Sequence, residues 1–302
     1  MMTPSYQLSG LGLAVGLTLM GALWLVWPYL LWTAWRLVRP PRKAWWARAA
    51  LAVWCGCVAL FAYAHFIEPR WITQRHTVLK LGFSARIALI SDYHLGLFKG
   101  PDFLERVVVE LNTLEVDAVL IAGDHLSWPH RPLAELLAPL KRLKHPAFSV
   151  PGNHDDKVGE IPQARDLRVA LLAVGVTPVE YTHAALPRFT VVGLGDRWAA
   201  KDGREPLLAA PRDKPIVVLF HNPDTAMSLR PDDAALALAG HTHGGQLRIP
   251  GVFRHLIPTQ HPFDRGLHTF PPVPTYVSSG VGESGLPFRL FNPPVIDVLV
   301  IE

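Results

Sequence analysis

Two long apolar stretches without charged side chains dominate the N-terminal part of the 302-residue sequence. The first covers residues 8–35, before the first charged residue, Arg36, and the second covers residues 49–67, between Arg48 and Glu68. A helix of about 20 apolar residues crosses a bilayer, where a single segment can satisfy its backbone polar groups only by being helical. A cleaved signal peptide would begin with basic residues and have a shorter apolar run. We therefore predict two transmembrane helices, at about 8–35 and 49–67.

Basic residues are concentrated around these two stretches. Residues 1–80 carry eight Lys and Arg side chains and one acidic side chain, a net charge of +7, whereas the whole chain has +4, so residues 81–302 carry −3. A nucleic-acid enzyme would have its basic patch on the working domain, so no nucleic-acid partner is expected. The basic loop 36–48 is expected in the cytoplasm, which would place everything after Glu68 on the outer side of the membrane.

From about residue 77 the sequence changes to short apolar runs that alternate with amphipathic stretches, as is typical of an α/β or α+β domain. We therefore divide the chain into a membrane anchor, residues 1–76, and a folded domain, residues 77–302. Strands are predicted at residues 86–90, 118–122, 148–150, 189–194, 216–220, 235–239, 275–277 and 295–301. Helices are predicted at residues 102–114, 132–143 and 163–174. The proline-rich segment 250–274 is expected to be irregular but ordered.

Residues of the kinds that bind metals follow five of the predicted strands. They are Asp92 and His94 in Ser-Asp-Tyr-His, Asp124 in Gly-Asp, Asn153, His154 and Asp155 in Gly-Asn-His-Asp, the single His221, and His241 and His243 in Gly-His-Thr-His-Gly-Gly. Each group alone is as well explained by a turn or a surface pair. Five such groups at strand ends predict one shared site, because strand ends at the same edge of a layered fold lie close together.

The residue types favour a pair of metal ions. Carboxylates and imidazoles suit Mn, Fe, Zn, Co and Ni. In Asp92-X-His94 and His241-X-His243 an extended backbone points both ligands to the same side. A carboxylate such as Asp124 can bridge two cations about 3.5–4 Å apart. We therefore predict two divalent metal ions, whose identity the sequence leaves open.

The order of these groups resembles that of the calcineurin-like metallophosphoesterases. The resemblance covers residues 86–302 and implies two packed β-sheets flanked by helices, an αββα arrangement that here follows the two transmembrane helices. The run Gly240–Gln246 and the residues Leu247–Gly251 after it are most similar to a membrane-anchored branch of that family. Some members of the branch resemble UDP-2,3-diacylglucosamine pyrophosphatases of lipid A biosynthesis, and others are general phosphodiesterases. The branch implies a multi-pass protein of a bacterial inner membrane.

The resemblance also implies a role for each residue of the site. The ligands would be Asp92, His94, Asp124 and His243 for one metal and Asp124, Asn153, His221 and His241 for the other. His154 would face the phosphate and either protonate the leaving oxygen or stabilise the developing charge. Asp155 would orient His154. These roles describe a hydrolase that needs no covalent enzyme intermediate.

Two further groups of residues have open interpretations. Arg197 follows the predicted strand 189–194 and either clamps a substrate phosphate or belongs to a surface turn. Phe253, Leu256 and Ile257, in the proline-rich segment, either enter the bilayer and hold acyl chains or form a satellite hydrophobic cluster.

The leading functional prediction is hydrolysis of phosphodiester or pyrophosphate bonds in a lipid-linked substrate, because a short segment joins the anchor to the folded domain. UDP-2,3-diacylglucosamine is the most specific version, but it is made on the cytoplasmic side, whereas the charge distribution places the domain outside. The alternatives are an outward-facing phosphodiesterase for cell-wall or nucleotide material and a non-catalytic membrane sensor or scaffold. Expected partners are a phosphorylated small-molecule or lipid-linked substrate and membrane lipids, and the oligomeric state is left open.

Overall fold

Two long helices come first in the computed structural model, which describes residues 10–37, 45–156 and 164–302. They are α1 (Gly10–Leu37) and α2 (Trp45–Ala62), and α2 continues through a π-helical turn, Tyr63–Ile67, and a 3-10 turn, Glu68–Arg70. Within the described residues, one continuous helix, Arg48–Arg70, is long and apolar enough to cross a membrane, by length and composition. It coincides with the second predicted span. Residues 8–9 of the first span, residues 38–44 of the basic loop and residue 163 of a predicted helix lie outside the described residues.

The domain that follows contains short strands, four α-helices and several 3-10 turns in its described part. The strands are β1 (Thr73–Leu79), β2 (Ala85–Ile90), β3 (Leu95–Gly96), β4 (Ala118–Ala122), β5 (Leu126–Ser127), β6 (Ala147–Val150), β7 (Val176–Pro178), β8 (His183–Ala185), β9 (Thr190–Gly193), β10 (Ile216–Leu219), β11 (Leu236–Ala239), β12 (Gly266–His268), β13 (Thr275–Val277) and β14 (Val295–Ile301). The helices are α3 (Pro101–Leu111), α4 (Leu133–Leu136), α5 (Ala164–Ala173) and α6 (Glu205–Ala209).

Two six-stranded sheets form the centre of the domain. The first has the order β1-β14-β2-β4-β6-β7, the second has the order β12-β13-β11-β10-β9-β8, and β3 pairs with β5 in a separate ribbon. The facing sides of the sheets share one apolar cluster, which includes Leu120 and Leu238. A second cluster joins the first sheet to α3, α4 and α5, and a third joins the second sheet to α6. This arrangement confirms the predicted layers of two sheets flanked by helices.

The sequence explains why the central strands and α3 form. All five residues of β4 are buried apolar residues, as expected for a parallel strand that is covered on both faces. In α3, Pro101 occupies the first turn, where its missing N–H is tolerated. Phe103, Leu104, Val107, Val108 and Leu111 repeat at helical spacing and are buried against the first sheet.

Parallel pairing places the metal-type residues at one edge. Strands β2, β4 and β6 are parallel neighbours in the first sheet, and β9, β10, β11 and β13 are parallel neighbours in the second. Parallel strands end at the same edge of a sheet. The residues that follow β2, β4, β6, β10 and β11 are therefore brought together, as predicted.

The short strands β3, β5, β7, β8 and β12 and the short helix α6 were not predicted, and β12 lies in the segment 250–274 that was expected to be irregular. Two further elements also differ from the prediction. The helix predicted at residues 132–143 consists of α4 and a separate 3-10 helix, Ala138–Arg142. Pro139 lies in the first turn of this second piece, where it cannot donate a backbone hydrogen bond to a continuous α-helix. Strand β1 was not predicted, and it crosses the predicted boundary between residues 76 and 77. It pairs with β14 from Thr73 to Leu79, so the folded domain begins before residue 77.

Candidate metal centre and active site

The predicted ligands converge in three overlapping groups at the common edge of the two sheets. Within each group one ligand atom per residue lies within 4.8 Å of the others; the groups are Asp92, His94 and His243; His94, Asp124 and His154; and Asp124, His221 and His241. All of these residues are buried except His154, which is half-buried. Burial of so many ionisable side chains is costly unless they are paired or bind a metal.

In the first half of the site, two imidazole rings lie against two carboxylates. The Nε2 atoms of His94 and His243 are 3.1 Å apart, and their rings stack at an interplanar angle of 19°. His243 Nε2 is 3.4 Å from Asp92 Oδ1, and His94 Nε2 is 3.5 Å from Asp124 Oδ2. Two nitrogens and two oxygens therefore point at one small volume, which is the donor set of a transition-metal site.

In the second half, backbone hydrogen bonds decide which nitrogens face inward. His221 Nδ1 donates to the carbonyl of Ala122 at 2.7 Å, and His241 Nε2 donates to the carbonyl of Pro258 at 3.3 Å. When both rings are neutral, each uses its single N–H in one of these bonds and turns a lone pair inward. These inward atoms, His221 Nε2 and His241 Nδ1, are 3.1 Å apart, and Asn153 Oδ1 is 3.1 Å from the former. Two facing lone pairs repel one another, so this arrangement needs a cation between them, either a bound metal ion or the extra proton that His221 carries when no metal is bound.

Asp124 joins the two halves. Its Oδ2 atom lies 3.5 Å from His94 Nε2 and 3.2 Å from His221 Nε2. Its Oδ1 atom accepts the backbone N–H of His154 at 2.8 Å, which fixes the orientation of the carboxylate. A Cβ atom at Gly152 would collide with this carboxylate, so the turn after β6 requires glycine there. Asp124 therefore faces both halves of the ligand set, as the prediction of a bridging carboxylate requires.

The backbone is strained at these ligands. Five of the seven predicted ligands have positive φ values between 44° and 68°, in a region that non-glycine residues rarely occupy. They are Asp92, His94, Asp124, His241 and His243. Such strain persists only where the surrounding structure enforces it, and it concentrates at functional sites.

The electrostatics of the site leave most imidazoles neutral. Burial lowers the pKa of His94 to about 4 and that of His241 to about 3, and burial raises the pKa of Asp92 to about 7. His221 behaves differently. Although burial favours its neutral form, the adjacent Asp124 carboxylate raises the pKa of His221 to about 10. In turn, the charge and hydrogen bond of His221 hold the pKa of Asp124 well below its usual range, against the effect of burial.

Asp155 is placed differently from the prediction. Its buried carboxylate accepts hydrogen bonds from His125 Nδ1 at 2.8 Å and from the backbone N–H groups of His125, Leu126 and Gly152. The tight turn from Gly152 to Asp155 folds this carboxylate back toward the loop after β4, so it orients His125 rather than His154. His125 Nε2 is 2.6 Å from Ser149 Oγ, and the side chains of His125, Ser149 and Asp155 are all buried.

Sequence reasoning had missed His125, although its position directly after Asp124 was a signal. His154, in contrast, lies at the surface of the site. Its ring meets that of His94 edge-on, with centroids 4.8 Å apart. This position suits a group that contacts substrate.

A cavity of about 350 Å³ opens above the ligands. Besides the metal-type residues, it is lined by Trp198, Gln246, Leu247, Leu256, Pro258 and Ser284. Trp198 is 59% exposed and meets His241 edge-on, with ring centroids 4.8 Å apart. Trp198 was not predicted, but Arg197 was. Arg197 donates to Asp202 at 2.9 Å and, with Trp198, lines a neighbouring cavity.

A model of the calcineurin-like phosphoesterase family matches residues 85–245, which include all seven predicted ligands and His154. The chain belongs to this family. It is a metal-dependent phosphoesterase, because its relatives include phosphodiesterases and its buried histidine and aspartate groups fit a metal site.

Three relatives illustrate the range of the family. The phosphodiesterase YaeI of Escherichia coli is 31% identical over 74% of this chain and 86% of its own length. An uncharacterized metallophosphoesterase of Helicobacter pylori is 34% identical over 73% of this chain and 60% of its own length. A transmembrane protein with a metallophosphoesterase domain from Danio rerio is 29% identical over 72% and 53%. The match thus covers less than two thirds of the length of the Helicobacter pylori and Danio rerio proteins.

Proposed function

We propose that the protein is a two-metal phosphodiesterase that is held at a bacterial inner membrane by two transmembrane helices and acts on a lipid-linked phosphate compound. The observation that carries the chemistry is the position of Asp124 Oδ2, which faces both halves of the ligand set. When bound, two divalent cations supply Lewis acidity toward the phosphoryl oxygens and activate a nucleophilic water. Mn, Fe, Zn, Co and Ni all suit these donors.

The chain's own residues supply positioning and proton transfer. Asp124 holds the backbone N–H of His154, which directs the His154 ring into the cavity. There His154 protonates the leaving oxygen or stabilises the charge that develops on the phosphate. Asp155 supports the ligands indirectly. Its hydrogen bonds to His125 and Gly152 hold together the loops that carry Asp124 and Asn153.

The rim of the metal cavity is continuous with the end of the apolar helix. Leu247 lines this cavity and also packs in a small apolar cluster with Ala64, Phe288 and Leu290. In the same cluster the rings of Phe61, on α2, and Phe288 are 4.8 Å apart. A helix that crosses a membrane here would therefore hold the mouth of the cavity at the membrane surface.

Exposed apolar side chains lie at this rim and near its residues in sequence. Leu256 both lines the cavity and is exposed, and Ile249, Val252 and Leu286 are exposed and lie within four positions of the lining residues Leu247, Leu256 and Ser284. These side chains suit acyl chains at a membrane surface, which supports the lipid-linked substrate class. Phe253 belongs to a local cluster, because Arg248 Cζ lies 4.0 Å from the centre of its ring.

A second candidate is an outward-facing phosphodiesterase for cell-wall or nucleotide material. The charge distribution favours it, because the basic residues cluster on the loop between the two apolar stretches. A cytoplasmic catalytic domain would instead favour UDP-2,3-diacylglucosamine. Reporter fusions to the C-terminus distinguish the two locations. Alkaline phosphatase is active only if the domain lies outside the membrane, and green fluorescent protein fluoresces only if the domain lies in the cytoplasm.

The detergent-purified full chain should hydrolyse bis(p-nitrophenyl) phosphate with Mn²⁺ and lose this activity with EDTA. Asp124→Ala is the control for contaminating phosphatases. A matched pair of diesters, one soluble and one attached to a diacylglycerol in vesicles, tests the substrate class, and the lipid-attached diester should have the higher kcat/KM. Equal kcat/KM values would reject the lipid-linked substrate but keep the phosphodiesterase, whereas no metal-dependent cleavage of either would reject both.

A further inference from the structure

A second cavity of about 400 Å³ lies where the apolar helix meets the catalytic domain, and we call it the junction cavity. It is separated from the metal cavity by one short segment, because Glu283 and Pro287 line the junction cavity whereas Ser284 lines the metal cavity. One wall consists of Trp27 from α1 and Phe66 from the end of the apolar helix, and their rings are 5.0 Å apart. None of the residues that line it is a predicted metal ligand.

The junction cavity carries more positive than negative charge. Among the described residues, three cations line it, Arg70, Lys99 and Arg106, with two acids, Asp102 and Glu283. Glu283 is already matched, since its carboxylate lies 3.1 Å from Lys99 Nζ and 3.7 Å from Arg289 Nε. Arg70 and Arg106 outnumber the remaining acid, Asp102, and therefore supply the net positive charge of the cavity.

Both arginines are exposed but held in place. Arg70 Nη1 donates to the carbonyls of His65 and Phe66, and Arg106 Nη1 donates to the carbonyl of Arg70. Within the described residues neither guanidinium lies within 4.0 Å of a carboxylate. A guanidinium has five N–H donors, so most of them remain for an oxyanion, and its planar fork suits phosphate. The surrounding rings support this charge, because Arg106 lies over Phe103 and Arg70 over Phe66.

The position of the cavity specifies the source of the phosphate. Arg70 is the final residue of the candidate span, so the cavity lies at headgroup level when that helix crosses a bilayer. A free phosphate ion would gain nothing from the Trp27–Phe66 wall, whereas the glycerol and acyl segments of a lipid would pack against it. We propose that the junction cavity binds the phosphate headgroup of an anionic membrane phospholipid. This inference rests on the membrane placement in the proposed function but not on the substrate.

Native mass spectrometry of the full chain tests the site. The protein is released from micelles that contain equal amounts of phosphatidylglycerol and phosphatidylcholine, and the wild type should retain phosphatidylglycerol preferentially. Arg70→Gln combined with Arg106→Gln should reduce that retention about tenfold, because two charge-assisted contacts are lost. The matched control is Arg131→Gln, which removes an exposed arginine that lines neither cavity and should not change retention.

The outcomes separate this site from the proposed function. Unchanged hydrolysis of bis(p-nitrophenyl) phosphate by the double variant shows that the domain is folded, so its loss of lipid then supports the site. Equal retention of the two lipids, or unchanged retention in the double variant, would overturn it, as would displacement of the lipid by excess inorganic phosphate. Extraction of the wild-type protein from membranes by carbonate would reject the membrane placement itself, and with it both proposals.

Discussion

The metal cavity and the junction cavity lie on either side of one short segment. They differ in the charge of the side chains that would bind a phosphate. Lys and Arg are absent from the described residues that line the metal cavity, where aspartate, asparagine and histidine supply electron pairs. The junction cavity has its own cations, Arg70, Lys99 and Arg106. In the proposed function the first cavity binds phosphate through its metal ions, whereas the second needs no cofactor. Binding at one is conditional on metal and binding at the other is not.

The two cavities also differ in the backbone conformation of the residues that form them. Five ligands of the metal cavity have positive φ values, whereas no non-glycine residue described in the lining of the junction cavity does. Strain is expected where donor atoms must meet at fixed distances, because metal coordination requires directional geometry. Long, adaptable arginine side chains meet a phosphate without such a constraint.

A substitution of Asp124 tests most strongly whether the metal cavity depends on metal while the junction cavity does not. Asp124→Asn should lower kcat/KM for bis(p-nitrophenyl) phosphate on the order of 10³-fold, because it weakens the bridge between the two metals. Steady-state kinetics and metal analysis by mass spectrometry measure the effect, and the metal content should fall as well. Retention of phosphatidylglycerol should not change. Activity within tenfold of the wild type would contradict the bridging role.

A smaller loss is expected from a residue that contacts substrate without binding metal. His154→Gln should lower kcat about 10²-fold, because a proton donor or charge-stabilising group is lost from the cavity. Metal content, measured on the same sample, should equal that of the wild type. Loss of metal together with activity would show that His154 is a ligand, and normal activity would remove it from the mechanism.

The two cavities should also respond differently to pH. His221 has a pKa of about 10 in the absence of metal, so it must release a proton when a metal binds. The affinity for Mn²⁺ should therefore fall about tenfold for each pH unit from 9 to 7. Burial raises the pKa of Asp92 to about 7, so the decrease should become steeper below that pH, whereas His94 and His241 are already neutral.

Calorimetry of Mn²⁺ binding in two buffers of different ionisation enthalpy measures the proton release directly. Retention of phosphatidylglycerol should stay constant over the same range, because arginine does not titrate there. Binding of Mn²⁺ without proton release at pH 8 would contradict the assignment of His221 as the protonated ligand.

The smallest effect concerns the rim of the metal cavity. Trp198→Ala should raise KM for an aromatic diester about threefold and leave kcat nearly unchanged, because the exposed ring provides contact area but no chemistry. Trp71→Ala is the matched control, since Trp71 is 58% exposed, similar to Trp198, and lines neither cavity. Equal KM values for the two variants would show that Trp198 does not contact substrate.

The meeting of the ligands was predictable, because parallel apolar strands have recognisable patterns and their ends share an edge. The direction of an individual side chain was not. Asp155 follows His154 in sequence, yet the turn from Gly152 sends its carboxylate to His125, in a loop 30 residues earlier. Nothing in the order of residues distinguishes this partner from His154, because the choice depends on how two loops pack.

Longer-range contacts were less predictable still. Strand β1 contains Gln74, Arg75 and His76, so its polar residues conceal a strand that forms at the edge of the sheet. The junction cavity combines Trp27, Arg70 and Arg106, which come from three separate helical segments. The broken helix at Pro139 is different, because the proline inside the predicted helix 132–143 was a local signal for the interruption that the prediction did not use.

The pairing of β1 with β14 has a consequence for biosynthesis. Strand β14 lies between β1 and β2, and Arg75 pairs with Asp297, 222 positions later in the chain. On the ribosome, both β1 and β2 emerge long before the strand that separates them, so the first sheet cannot close during most of translation. The apolar helix is already available to the membrane at that stage. Closing this sheet is therefore a late step of folding, and a nascent chain stalled before residue 295 would display two unpaired strand edges beside the bilayer.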